Sequence, residues 1–210
     1  MEAKGQEEKR IEIVVATRNR GKMREIEEIV AGFPLRLRSL REFPDLPPLE
    51  ESAPTFEGNA LLKARAVSSH SGLPALADDS GLCVDALKGA PGVHSARYAG
   101  PDASDETRIA KLLAELGPLP LEERGATFVC VMALVFPERE PLIVEGRCRG
   151  VIAFAPAGTG GFGYDPIFVP EGFSRSFAEL SPEVKNRVSH RARALNLLKQ
   201  RLSTYLPSHP

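Results

Sequence analysis

An excess of either charge is missing from this chain, in which 27 Lys plus Arg face 28 Asp plus Glu over 210 residues. A nearly neutral protein has no field strong enough to grip a row of phosphates, so no nucleic acid polymer is expected as a partner. No apolar run approaches the roughly 20 residues that span a bilayer, and no membrane association is expected. The three cysteines, Cys83, Cys130 and Cys148, lie far apart. They supply neither a disulfide framework nor a C-x-x-C metal knuckle, which points to a reducing cytoplasm. The opening MEAKGQEEKR has no hydrophobic segment, so residues 1–10 are expected to be a disordered charged extension rather than a signal peptide.

The chain is long enough for one domain, or one domain in two lobes, over residues 11–206. IEIVVA (11–16) reads as a strand, followed by a turn and then helical spacing through Met23, Ile26, Val30 and Phe33. Residues 34–54 hold five prolines, which predicts a loop or an irregular edge segment. Helices are predicted over 56–69 and from Ser104 to Leu116. The stretch from Leu73 to Leu87 reads as strand, sharp turn at Asp78-Asp79-Ser80-Gly81, strand. Long strands are expected at 126–136 and 142–154. Ser181-Pro182-Glu183 starts a helix. A straight continuation would aim Lys185, His190 and Arg191 in different directions, so Ser189 is expected to cap a second helix. The pattern is α/β with a mixed sheet.

Four stretches carry chemistry. GTGGFGYDP (158–166) matches the dinucleotide fingerprint G-x-G-x-x-G through Gly158, Gly160 and Gly163. That fingerprint needs a helix immediately after its glycines, and here Ile167-Phe168-Val169 is strand material, so the dinucleotide reading fails. What remains is a flexible loop presenting Phe162, Gly163, Tyr164 and Asp165, either as a stacking surface for a nucleobase or as a turn whose aromatics fill the core. ATRNRGK (16–22) brings a hydroxyl, an amide and three cations to a helix N-terminus, which suits a polyphosphate or else forms a solvated basic turn. Asp78-Asp79 places two carboxylates where they could hold Mg²⁺ or take a proton from water, and Glu50-Glu51 could complete the metal shell. Either pair could equally be a solvated turn.

Six segments, ATRNRGK, TFEGNALLKA, ALADDSGL, GAPGVHSARYAG, GFGYDPIF and SHRARAL, occur in the order and at about the spacing seen in the Ham1-like inosine/xanthosine triphosphate pyrophosphatases. The resemblance covers about Val14 to Leu198. It implies an enzyme that cleaves non-canonical purine nucleoside triphosphates (ITP, dITP, XTP) to the monophosphate and pyrophosphate with Mg²⁺. It also implies an elongated two-lobed fold around a long mixed β-sheet with a central cleft, and a homodimer. By motif, Thr17, Asn19 and Lys22 would hold phosphates with help from Lys185. Glu51 and Asp79 would bind the metal, Asp79 also serving as the base, and Ser80 would contact substrate. Residues 162–165 would line the base and sugar pocket, and His190 and Arg191 would read the base edge. Gly58 departs from the family's usual T-F-x-E-N-A, where a glutamate stands, and His94 replaces a common tyrosine. The rival readings are a Maf-like pyrophosphatase for other modified or pyrimidine triphosphates and a nucleotide sensor without turnover.

Overall fold

The structure is a computed structural model and describes residues 10–205, with 203–205 described by backbone alone. The expected extension, apart from Arg10, and residue 206 lie outside the described residues. The β-branched run IEIVV forms β1 (Ile11–Val15). Asn19 then caps α1 (Arg20–Val30), its side chain accepting from Lys22 N. The proline-rich stretch begins with an edge strand, β2 (Leu35–Ser39), which the sequence pattern does not announce. Thr55 caps α2 (Phe56–Ser71), which ends at the left-handed Gly72.

The remaining elements are β3 (Ala75–Val84), α3 (Asp105–Leu116), β4 (Gly125–Phe136), β5 (Arg139–Ile152), β6 (Phe168–Pro170), α4 (Pro182–Val188) and α5 (His190–Tyr205). The last two are separated by Ser189 in extended conformation. Its Oγ accepts from Ala192 N at 3.2 Å, so the expected break and cap are both present.

The strands make one mixed sheet in the order β2-β1-β3-β4-β5-β6, with β1 parallel to β2 and β3 and the later pairs antiparallel. Alternation sorts side chains to two covered faces. Ile13, Val15, Met132 and Leu134 pack with Ile26 of α1 and Leu195 and Leu198 of α5. Val14, Val129 and Val131 pack with Ala60, Ala64 and Val67 of α2. A third cluster, built from Leu82, Phe128 and Phe168 against Ile109 and Leu112 of α3, covers the far half of the sheet. Each such buried aliphatic or aromatic side chain contributes about 1.5–3 kcal/mol relative to exposure.

One expectation is overturned. Asp78-Asp79-Ser80-Gly81 is not a turn: β3 runs unbroken through it, with every residue from Ala75 to Val84 in register with β4. Turn propensity loses to tertiary partners, because both carboxylates are met by cations and amides from the helices, as described below. Gly81 is small for a packing reason rather than a turn. A Cβ there would lie 2.3 Å from Gly92 O and 2.5 Å from Ser95 Oγ.

β1 pairs with β3 only at Val14 and Val15. Beyond that point β3 keeps β4 on one side, and residues 90–95 meet its other edge, where Val84 N donates to Ala90 O at 3.0 Å and Leu82 N to Ser95 Oγ at 2.9 Å. The site forms at this edge, beyond the carboxyl end of β1, where open α/β sheets place their ligands.

Candidate active site

A cleft of about 170 Å³ opens where β1 ends, lined from α1 by Asn19 and Lys22, from β3 by Asp79, Ser80 and Gly81, and from the C-terminal helices by Lys185, His190 and Arg191. Phe162, Gly163, Tyr164 and Asp165 close another wall, and Glu51 reaches it from the loop before α2. Thr17 is the predicted residue not brought there. It accepts from Asn19 N at 3.2 Å and lines a larger neighbouring groove of about 930 Å³ with Arg18, Arg20 and Arg41. Size therefore does not mark the site; the convergence of acids, cations and aromatics does.

The pleat divides the two aspartates. Asp78 faces α1 and α5: it ion-pairs with Lys22, and Arg191 Nε donates to its Oδ2 at 3.1 Å. Burial alone would raise the Asp78 carboxyl, but Arg191 and Lys22 outweigh it and hold the group far below the usual carboxylate range. Asp79 faces α2. Lys63 Nζ donates to its Oδ1 at 3.0 Å and Asn59 Nδ2 to its Oδ2 at 3.2 Å. Here burial wins over Lys63, and the Asp79 carboxyl lies above its ordinary value.

Lys63 is the joint between the acids. Besides Asp79 it donates to Glu51 Oε1 at 2.7 Å and to the Asp78 carbonyl at 2.8 Å. Burial would lower its pKa, yet Asp79 and Glu51 raise it, so it stays an ammonium. Glu51 is half-buried and held below its usual range, burial being outweighed by Lys63. Arg97 Nη1 donates to its other oxygen at 3.2 Å. Glu50 is exposed and plays no part in this arrangement.

A second buried network ties the helices together. Glu25, 8% exposed on α1, ion-pairs with Lys185 Nζ at 2.7 Å and accepts from Arg191. Lys185 further donates to Asp165 Oδ2 at 2.5 Å. Arg191 Nη2 donates to Ser80 Oγ at 2.9 Å. Three donors of this guanidinium are thus engaged and two of its five N–H groups remain. His190 stacks on Phe128 with ring centroids 4.7 Å apart. Burial, then Arg191 and Lys185, push its pKa well below the usual histidine value, so it is neutral. Its Nδ1 is buried and has no hydrogen-bond partner among the described residues.

The glycine-rich loop combines both readings of its aromatics. Tyr164 is 4% exposed, donates to Ser95 O at 3.1 Å and packs in the third core cluster. Phe162 instead faces the cleft, with Lys185 Nζ 4.9 Å and Arg191 Cζ 5.7 Å from its ring centroid. Asp165 turns inward and accepts from Phe162 N at 2.8 Å, which fixes the loop backbone. Asp105, in the first turn of α3, accepts from Gly163 N at 2.6 Å.

Among the described residues no group of three or more His, Cys, Asp or Glu side chains is arranged to hold a metal. Glu51 and Asp79 nevertheless meet the needs of Mg²⁺, which is usually bound by one or two protein carboxylates while phosphate oxygens and water complete its shell. Both pair with the one Lys63 ammonium, at 2.7 and 3.0 Å, so their oxygens converge. Gly58 offers no further donor, and a Cβ there would stand 2.6 Å from Ala53 Cβ. His94 is exposed.

Comparison with known proteins decides the lineage. The sequence profile of the Ham1 family matches residues 13–201. The chain belongs to the Ham1 family. This Ham1 protein is 56% identical over 190 residues to a dITP/XTP pyrophosphatase of Geobacter sulfurreducens, covering 90% of this chain and 96% of that one. It is 52% identical over 189 residues to a dITP/XTP pyrophosphatase of Geobacillus kaustophilus, covering 90% and 93%. The solved structure of a HAM1 protein from Coxiella burnetii superposes with a TM-score of 0.84 at 44% identity, over 92% of this chain and 99% of that one. A nucleoside-triphosphatase / dITP/XTP pyrophosphatase from Mycobacterium abscessus gives 0.73 at 50% identity, over 90% and 98%.

Sequence reasoning missed Lys63, Asn59 and Glu25. A signal existed for the first two: they stand one helical turn apart on the same stripe as Ala60, Ala64 and Val67, and a lysine on an apolar stripe calls for a buried acid. Glu25 lies one turn from Lys22, beside the buried Ile26.

Proposed function

We propose that this Ham1 protein hydrolyses non-canonical purine nucleoside triphosphates, ITP, dITP and XTP, to the monophosphate and pyrophosphate, and so clears them from the nucleotide pool. In this reading residues 11–206 act as one two-lobed domain. The observation that carries it is the meeting of the α1 N-terminus and Lys22 with Asp79 in one cleft that is also lined by Phe162, His190 and Arg191. A phosphate end and a base end of one nucleotide are thereby provided around a candidate base. The pyrophosphatase names of the relatives support the same chemistry.

Phosphoryl-type transfer asks for charge neutralisation and an aligned nucleophile rather than covalent help. Lys22 and the first N–H groups of α1 hold the phosphates, with Lys185 assisting. Glu51 and Asp79 would hold Mg²⁺, which when bound supplies charge neutralisation at the phosphate oxygens. Asp79 takes a proton from water, a role suited to a carboxyl whose burial raises its proton affinity. The water oxygen bonds to the α-phosphorus as the bond to the pyrophosphate oxygen breaks. Ser80 is held by Arg191 at the cleft wall.

At the base end, hypoxanthine and xanthine present an O6 acceptor where adenine presents an amino donor. The two free N–H groups of Arg191 and one N–H of neutral His190 favour the oxo bases. Phe162 offers a stacking face worth about 1–3 kcal/mol. We place the protein in the cytoplasm as a homodimer. All three cysteines are free thiols, and no helix among the described residues is long and apolar enough to cross a membrane.

Purified protein with Mg²⁺ tests the reading. Release of pyrophosphate from ITP, dITP or XTP well above that from GTP and ATP supports it. Release of orthophosphate, preference for a pyrimidine triphosphate, or binding without turnover overturns it, the second in favour of a Maf-like specificity and the third in favour of a sensor. Light scattering that gives a monomer would remove the dimer.

A further inference from the structure

Gly21 lies in the first turn of α1, between Arg20 and the phosphate-side Lys22. Its backbone is helical, and it is not among the glycines with positive φ, so no turn geometry requires it. Glycine is also a poor helix former beside alanine. What stands at the position is the Phe162 ring. A Cβ on Gly21 would lie 2.6 Å from Phe162 Cδ1, 2.8 Å from Cε1 and 3.1 Å from Cγ.

The loop that carries the ring cannot readily retreat. Phe162 N is tied to Asp165 and Gly163 N to Asp105, and Lys185 and Arg191 stand beside the ring. A side chain at 21 would therefore turn the ring about its own χ angles into the cleft or toward those cations.

We propose that Gly21 is a positioning residue: its bare Cα is the seat that fixes the Phe162 ring against the phosphate-holding helix. Through this contact the aromatic wall and the polyphosphate grip are built as one unit, so displacement of α1 is felt at the base. The inference deepens the reading above and rests on its assignment of Phe162 to the base end.

A double-mutant cycle tests it, with wild type, Gly21→Ala, Phe162→Ala and the double variant compared by KM and kcat for ITP and by thermal unfolding. Gly21→Ala is expected to raise KM about tenfold, within the range expected for losing one stacking contact. It should change kcat less than about threefold and leave Tm equal or higher, since alanine favours the helix. In the Phe162→Ala background the same change should alter KM by less than about twofold, because the ring it displaces is gone. An unchanged KM in Gly21→Ala, or equal fold-changes in both backgrounds, overturns the proposal.

A second readout does not depend on turnover. Proton NMR of the nucleotide-free protein should show the Gly21 Hα resonances shifted by the Phe162 ring current, and the shift should vanish in Phe162→Leu. An unaltered Gly21 shift in that variant overturns the seat whatever the enzyme acts on. A shift that vanishes in a protein inert toward ITP leaves the seat standing and overturns only the assigned reaction.

Discussion

Lys63 Nζ lies 3.0 Å from Asp79 Oδ1, and this contact, with the Asn59 amide on the other carboxylate oxygen, ties the candidate base of the reaction to α2. The same ammonium holds Glu51, so the two carboxylates proposed for Mg²⁺ share one organic cation. Lys63→Met would leave Asp79 without its charge partner in a nearly dry site. A loss of about 3–5 kcal/mol in unfolding free energy is expected, as for other broken buried pairs. Urea denaturation measures it, and a change below about 1 kcal/mol would show the contact to be energetically idle.

Asp79→Asn keeps the shape of the site while removing the proposed proton acceptor. Turnover of ITP should fall at least about a hundredfold, the lower range for loss of a general base. Calorimetric titration should still detect nucleotide. Retained activity would take from Asp79 both the base and the principal metal role.

Phe162→Ala removes the stacking face without touching an acid or a lysine. KM should rise about tenfold or more for every base tested, and kcat should change little. An unaltered KM would make Phe162 a packing residue like Tyr164.

Stability toward acid should fall in two stages. His190 is held neutral in the fold, below its ordinary 6.5. As pH drops beneath that value the unfolded chain binds the extra proton first, and folding free energy declines. Asp78 is depressed below 3.8, so its contribution is complete above that pH and is lost beneath it. Asp79 and Asp165 are raised and act in the opposite sense, disfavouring the fold as pH climbs from 3.8 through their folded values. Thermal melts of wild type and His190→Gln between pH 7 and 5 separate the first stage. The variant should lose less Tm over that interval, and parallel curves would refute a buried neutral histidine.

Much of the architecture could be read from local pattern. Caps at Ser104, Ser181 and Ser189 mark helix starts because each supplies an oxygen for an orphan N–H. The break at Ser189 followed from asking which directions a straight helix allows. The edge strand β2 did not, since the Leu-Arg-Leu-Arg alternation of Leu35–Ser39 holds only two apolar residues and lies within the proline-rich stretch. The stretch Asp78–Gly81 misled because turn propensity describes a chain without neighbours, and Lys22, Arg191, Lys63 and Asn59 come from distant segments. At the site, the motif residues other than Thr17 converge as expected. Thr17 turns to the adjoining groove because its hydroxyl caps Asn19 N locally. Glu25 and Lys63 escaped for one shared reason: their importance lies in what they hold, and what they hold is brought together only by the sheet.

The unbroken course of β3 has an arithmetic consequence. Asp78 and Asp79 are the same residue, yet one is clamped as a fixed anion and the other is left basic enough to accept a proton, and only odd or even count along the strand tells them apart. A single residue inserted or deleted between Ala75 and Asp78, with the pairing to β4 otherwise kept, would send each aspartate to the opposite face of the sheet without changing either letter. Selection on such a strand therefore acts on its length as strictly as on its composition.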